Sequence, residues 1–210
     1  MPEWMVSIVV LVFSVVFHEA AHAWMAYRKG DATAYLAGRL TLNPLAHLDP
    51  VGSVLLPLIG AFTGAPVIGW ARPVPVNPRM LRRPAQDYAW VSFAGPGSNI
   101  LLAVAFAVGF GTARALLPGG MLRTSLVLLF SHGVVINMLL AGFNLLPVPP
   151  LDGSWIFGHL FPRTIGRLVN AMRPYSMVVL IVLVASGALR WVLIPSLIAA
   201  SALLRLAGGM

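Results

Sequence analysis

The chain of 210 residues contains no cysteine, which excludes disulfides, iron–sulfur clusters and thiolate metal sites. It is also short of acid, with only Glu3, Glu19, Asp31, Asp49, Asp87 and Asp152 against 14 basic residues, for a formal charge of +8. Charged residues of both signs make up 10% of the chain, too few to cover a soluble domain of this size. Hydrophobic residues supply 59%, and the mean hydropathy is +0.86. The solvent implied is a lipid bilayer, and the excess positive charge reads as membrane orientation and anionic headgroups. The basic residues do not cluster with interleaved aromatics, so no nucleic-acid partner is expected. At the N-terminus a glutamate stands where a signal peptide carries lysine or arginine, so the first apolar run is expected to be retained as a span.

Apolar runs fall at about residues 4–26, 51–68, 88–110, 124–146 and 176–206. The last is interrupted by Arg190 and Pro195 and reads either as two short spans or as one span with an interfacial piece. The run at 51–68 is short and carries Gly52, Pro57, Gly60, Gly64 and Pro66, which suits a re-entrant loop better than a clean helix. Charge supports this. With the first run crossing from outside to inside and Arg190 and Arg205 set aside, re-entry puts ten basic residues inside and two, Arg114 and Arg123, outside; full crossing gives five and seven. The stretches 35–44, YLAGRLTLNP, and 71–78, ARPVPVNP, alternate apolar residues and predict a small pair of strands at the membrane edge. The fold class expected is an all-α polytopic membrane protein with a helical transmembrane core, a re-entrant segment and a small membrane-edge β element. It forms one domain over 1–210, with a core at about 4–160 and a C-terminal hydrophobic tract at about 174–206.

His18 and His22 stand four residues apart in the first run, so on a helix they project from one face about 6 Å apart, suited to two imidazoles on one zinc ion. Glu19 lies beside them, within reach of a proton on an activated water without being a ligand. The pattern is H-E-x-x-H, and three polar side chains in a span of Val, Ile, Leu and Phe are costly without a function. A hydrolytic zinc site needs a third ligand. His47, His132, His159 and the acids are the candidates, and Asp152 stands out: it follows the span at 124–146 in NLLPVPPLDG, where Pro147, Pro149 and Pro150 break the helix and Gly153 permits a turn. In the re-entrant topology Asp152 ends near the inner face, as His22 does. In the fully crossing one it emerges roughly 30 Å away.

HEAAH, then AGPGSN at 94–99, then NLLPVPPLDG together resemble the site-2 protease family of intramembrane zinc metalloproteases, over about residues 8–160. The resemblance implies one zinc per chain held by His18, His22 and Asp152, with Glu19 as general base. It implies that Asn144 helps hold substrate or the developing oxyanion, and it matches Asn99 to the polar position ending the family's glycine-proline motif, as a further catalytic candidate or a helix-packing contact. The partner implied is a transmembrane protein or peptide substrate, cut in or near its membrane-spanning segment in regulated intramembrane proteolysis. The location implied is the cell membrane of a prokaryote, with the site near the cytoplasmic face. No PDZ or CBS module is expected. Two other classes compete: a membrane transporter or metal-handling protein, which would not depend on Glu19, and an inactive protease-like protein that binds membrane clients.

Overall fold

The computed structural model describes residues 2–49 and 72–208. The run at 51–68, and with it the expected re-entrant loop, lies outside the described residues. Among those described, the secondary structure is helical, and five helical stretches are long and apolar enough to cross a membrane: Glu3–Arg28, Pro84–Leu116, Met121–Asn144, Ile165–Ala185 and Ala188–Leu206. We number the helices α1 (Glu3–Arg28), α2 (Thr33–Leu36), α3 (Pro84–Leu116), α4 (Met121–Asn144), α5 (Asp152–Leu160), α6 (Ile165–Met172), α7 (Ser176–Ala185), α8 (Ala188–Val192) and α9 (Ile194–Leu206).

Helices α1, α3 and α4 form the core, with α5 against α3 and α9 against α4. Glycine lets α3 and α4 approach closely. The Phe106 ring of α3 lies over Gly133 of α4, the Phe130 ring of α4 lies over Gly109 of α3, and the two rings are 6.3 Å apart. Lipid gives apolar side chains no reason to prefer a neighbouring helix, so close fit of this kind and buried hydrogen bonds hold such helices together.

The termini near the site are tied down by acids. The end of α1 is marked by Gly30 at φ +108, a left-handed conformation that favours glycine, and Asp31 N–H then donates to Ala26 O. At the start of α3 the Asp87 carboxylate accepts from Arg83 N–H at 2.8 Å and pairs with Lys29 Nζ at 3.2 Å. The first turn of α3 is thereby fastened to the last turn of α1.

The expected β element is not present among the described residues, for two local reasons. Asp31 Oδ1 accepts from Thr33 N–H at 2.9 Å at the start of α2, and Asn43 Oδ1 accepts from Leu45 N–H at 3.1 Å and starts a 3-10 turn at Pro44–Ala46, so residues 35–44 have helical turns at their two ends and irregular chain between. Residues 72–77 lack a paired strand: Pro73 and Pro75 have no N–H, and three N–H groups are already used. Arg72 donates to His47 O at 2.9 Å, Val74 to Glu19 Oε2 at 3.2 Å and Asn77 to Asp31 Oδ2 at 2.6 Å. The C-terminal tract holds two helical stretches, with a break at Gly187, φ +71, and a second interruption at Leu193, two residues before Pro195, while Arg190 lies within α8. Pro195 stands in the first turn of α9, where its missing N–H costs no hydrogen bond.

Candidate metal centre

His18 and His22 occupy one face of α1, both buried, and α3 packs against that face at AGPGSN. This motif lies about three turns into α3. Gly95 sits directly under the imidazoles, and a Cβ there would collide with Nε2 of both His18 and His22. Any other residue would fill the space between the two nitrogens.

The tautomers follow from what stands behind each ring. His18 Nδ1 is 2.6 Å from Asn99 Oδ1, and His22 Nδ1 is 2.7 Å from the Val91 carbonyl. With the Asn99 amide nitrogen committed to Asn137 Oδ1 at 2.9 Å, its oxygen is the atom facing His18, so both histidines donate from Nδ1 and turn Nε2 lone pairs inward. Asn137 in turn donates to Ser14 Oγ at 2.8 Å and to Gly133 O at 2.9 Å. Ser14, Asn99 and Asn137 are fully buried, and the network fixes His18 from behind.

Asp152 arrives from the other side. The chain leaves α4 at Asn144 and turns through residues 145–151. Gly153 then presses against the Leu145 and Leu146 carbonyls so closely that no side chain fits, which sets Asp152 at the first position of α5. Asp152 Oδ2 lies 3.2 Å from His18 Nε2 and 3.4 Å from His22 Nε2, and the two nitrogens are 2.9 Å apart.

These atoms fit a zinc ion. Ligands bound to one tetrahedral zinc at ~2.0–2.2 Å lie roughly 3.3 Å from each other, which matches the three separations. Two imidazole lone pairs and a carboxylate oxygen facing one another are all acceptors, an arrangement that needs a cation among them. The donor set, two nitrogens and one oxygen, is one that zinc takes with a fourth position open.

A cavity of about 250 Å³ opens on the triad, lined also by Glu19, Val74, Tyr88, Asn144 and Trp155. The structure thus brings together His18, His22, Asp152, Glu19 and Asn144, whose Nδ2 donates to Leu140 O at 3.0 Å. Asn99 does not line the cavity; it stands behind His18. His47, His132 and His159 are not part of the metal cluster. His47 Nε2 contacts Thr41 O at 2.9 Å, and His132 Nδ1 is 2.9 Å from Ser7 Oγ, joining α4 to α1. Sequence reasoning missed Ser14, Asn137 and Gly95. Ser14 is one turn before His18, and Asn137 is a polar residue inside a span; those two facts were the available signals.

The chain is similar in sequence to proteins named as zinc metalloproteases. The pattern of Peptidase family M50 matches residues 111–186, which include Asn144 and Asp152. The chain is 40% identical over 195 residues, 90% of its length and 84% of the relative's, to the Bacillus subtilis protein named "Putative zinc metalloprotease YwhC". It is 34% identical, over 86% of its length and 67% of the relative's, to "Putative zinc metalloprotease Rip2" of Mycolicibacterium smegmatis. An archaeal relative, "Putative zinc metalloprotease MJ0611" of Methanocaldococcus jannaschii, is 27% identical over 72% of the chain and 68% of its own length. No solved structure matches the chain.

Proposed function

The chain belongs to peptidase family M50, the site-2 protease family of membrane zinc metalloproteases, and on that premise we propose that it is an endopeptidase acting on membrane-spanning segments of other proteins. In this reading His18, His22 and Asp152 hold one zinc ion and Glu19 is the general base. The observation that carries it is the single cavity in which Glu19 and Asn144 face the three converging donor atoms between spanning helices.

A zinc ion held there supplies Lewis-acid activation of a water and of a peptide carbonyl. Glu19 then accepts a proton from the attacking water and delivers it to the amide nitrogen as the peptide C–N bond breaks, which turns a poor leaving group into a neutral amine. The Val74 N–H bond to Glu19 Oε2 fixes one carboxylate oxygen and leaves the other for the proton. Asn144, beside Asp152 in the same cavity, is the side chain for the substrate carbonyl. Asn99 acts through His18 by holding its ring. A helical substrate has its amides tied to its own carbonyls, so it unwinds locally before it is cut.

The same reading puts the site near the cytoplasmic face. His22 is on the last two turns of α1, and Arg28, Lys29, Arg82 and Arg83 gather where α1 ends and α3 begins. Regulated intramembrane proteolysis in a prokaryotic cell membrane is the process this serves.

The test is cleavage of transmembrane reporter proteins by the purified, zinc-loaded chain in vesicles. The wild type is expected to cut within or beside the spanning segment and Glu19→Gln to cut far more slowly. Equal activity of the two proteins contradicts the role of Glu19 and moves a transporter or metal-handling function ahead.

A further inference from the structure

We propose that a second cavity beside the metal centre is the subsite for an acidic side chain of the substrate, near the bond that is cut, and that Arg173 recognises it. The proposal rests on the peptidase reading above and adds a substrate class to it.

The second cavity, about 570 Å³, lies between the start of α3, α5 and α6. Tyr88 and Trp155 line both it and the metal cavity, so their rings, 4.5 Å apart, are the wall the two share. Each is bound to the metal centre by its own helix. Trp155 is one turn beyond Asp152, and Tyr88 is one turn before Val91, whose carbonyl holds His22. A polypeptide lying across the metal cavity therefore runs onto this wall.

Arg173 completes the cavity. Its guanidinium carbon lies 3.6 Å from the centre of the Trp155 ring, and its Nε donates to Asn170 Oδ1 at 3.1 Å. Stacking and one hydrogen bond fix the plane of the group and leave its remaining N–H donors for a planar, two-oxygen acceptor. No carboxylate among the described residues lies within ion-pair distance of Arg173, and no acid is among the described residues that line the cavity. No described residue supplies a charge complement to Arg173.

An anionic lipid headgroup would satisfy Arg173 as well. Position favours the substrate. Arg163 and Arg167, near and on α6, are exposed and available to headgroups, whereas Arg173 is half-buried against a wall of the catalytic cavity.

The experiment measures binding, so that it does not depend on turnover. Zinc-loaded Glu19→Gln protein in phosphatidylcholine vesicles is titrated with transmembrane peptides that differ at one juxtamembrane position, scanned along the segment, as Glu, Gln or Lys. At one register the Glu peptide is expected to bind at least about tenfold more tightly than the Gln peptide. Adding Arg173→Gln should abolish that preference, and Arg173→Glu should transfer it to the Lys peptide. Equal binding of Glu and Gln peptides at every register, or a preference that survives Arg173→Gln, overturns the proposal. So does an effect of Arg173→Gln that is the same for all peptides and appears only when phosphatidylglycerol is included, which assigns Arg173 to lipid. Cleavage by the Arg173-intact, Glu19-intact protein is read in parallel. Charge-selective binding without any cleavage sinks the peptidase reading and leaves the subsite; cleavage without charge selection does the reverse.

Discussion

His18 Nδ1 and Asn99 Oδ1 meet at 2.6 Å across 81 residues of chain, both side chains buried. The contact fixes which nitrogen of His18 is free for a metal, and it makes Asn99 a positioning residue. Asn99→Ala leaves the Nδ1 proton unpaired and opens the link to Asn137 and Ser14. Zinc affinity, measured by competition with a chelator, is expected to fall about 10- to 100-fold while the helical content stays the same. Unchanged affinity would show that the ring is held without Asn99.

Gly95 permits a second test of the same centre. Gly95→Ala adds a methyl group where the two Nε2 atoms converge, whereas Gly97→Ala, two residues on, meets only the Phe93 ring at 3.2 Å. The first substitution is expected to abolish stoichiometric zinc binding and the second to leave it intact, with zinc content of the purified proteins as the readout.

Glu19 separates chemistry from binding. Glu19→Gln keeps the size and the hydrogen-bond acceptor for Val74 N–H but cannot take a proton. Zinc content should be unchanged and kcat for a cleaved reporter should drop by about 10²- to 10⁴-fold. Loss of zinc in this variant would instead make Glu19 a ligand.

Asp31 is fully buried and accepts from Thr33 N–H, Thr33 Oγ and Asn77 N–H, joining the end of α1 to the chain that crosses the metal cavity. Asp31→Ala leaves these donors without their acceptor, at about 1–3 kcal/mol for each that stays buried. A lower thermal midpoint and faster proteolysis within 72–77 are expected, and Thr33→Val, which removes only the hydroxyl donor, should have a smaller effect.

The candidate site was legible in the sequence where it is local and where a residue type is rare. His18, Glu19 and His22 share a helix, and Asp152 was conspicuous as one of six acids beside a proline-broken span. What supports those residues was not legible, since Asn99, Asn137 and Val91 reach their partners only through the packing of α1, α3 and α4. Alternation of apolar residues suggested strands at 35–44, but it does not report side-chain caps, and Asp31 and Asn43 set helical turns at the two ends of that stretch with irregular chain between. In the C-terminal tract Pro195 marked the interruption at Leu193, whereas the break at Gly187 comes from its left-handed backbone and Arg190 did not signal it.

In the proposed site His18 and His22 of α1 and Asp152 at the start of α5 hold one zinc ion. This is tested most directly by zinc per chain in detergent-purified wild-type and Asp152→Ala protein, which needs no substrate. About one zinc per wild-type chain, lost or greatly weakened in the variant, is the result expected. Zinc absent from the wild type, or held equally by Asp152→Ala, would contradict it.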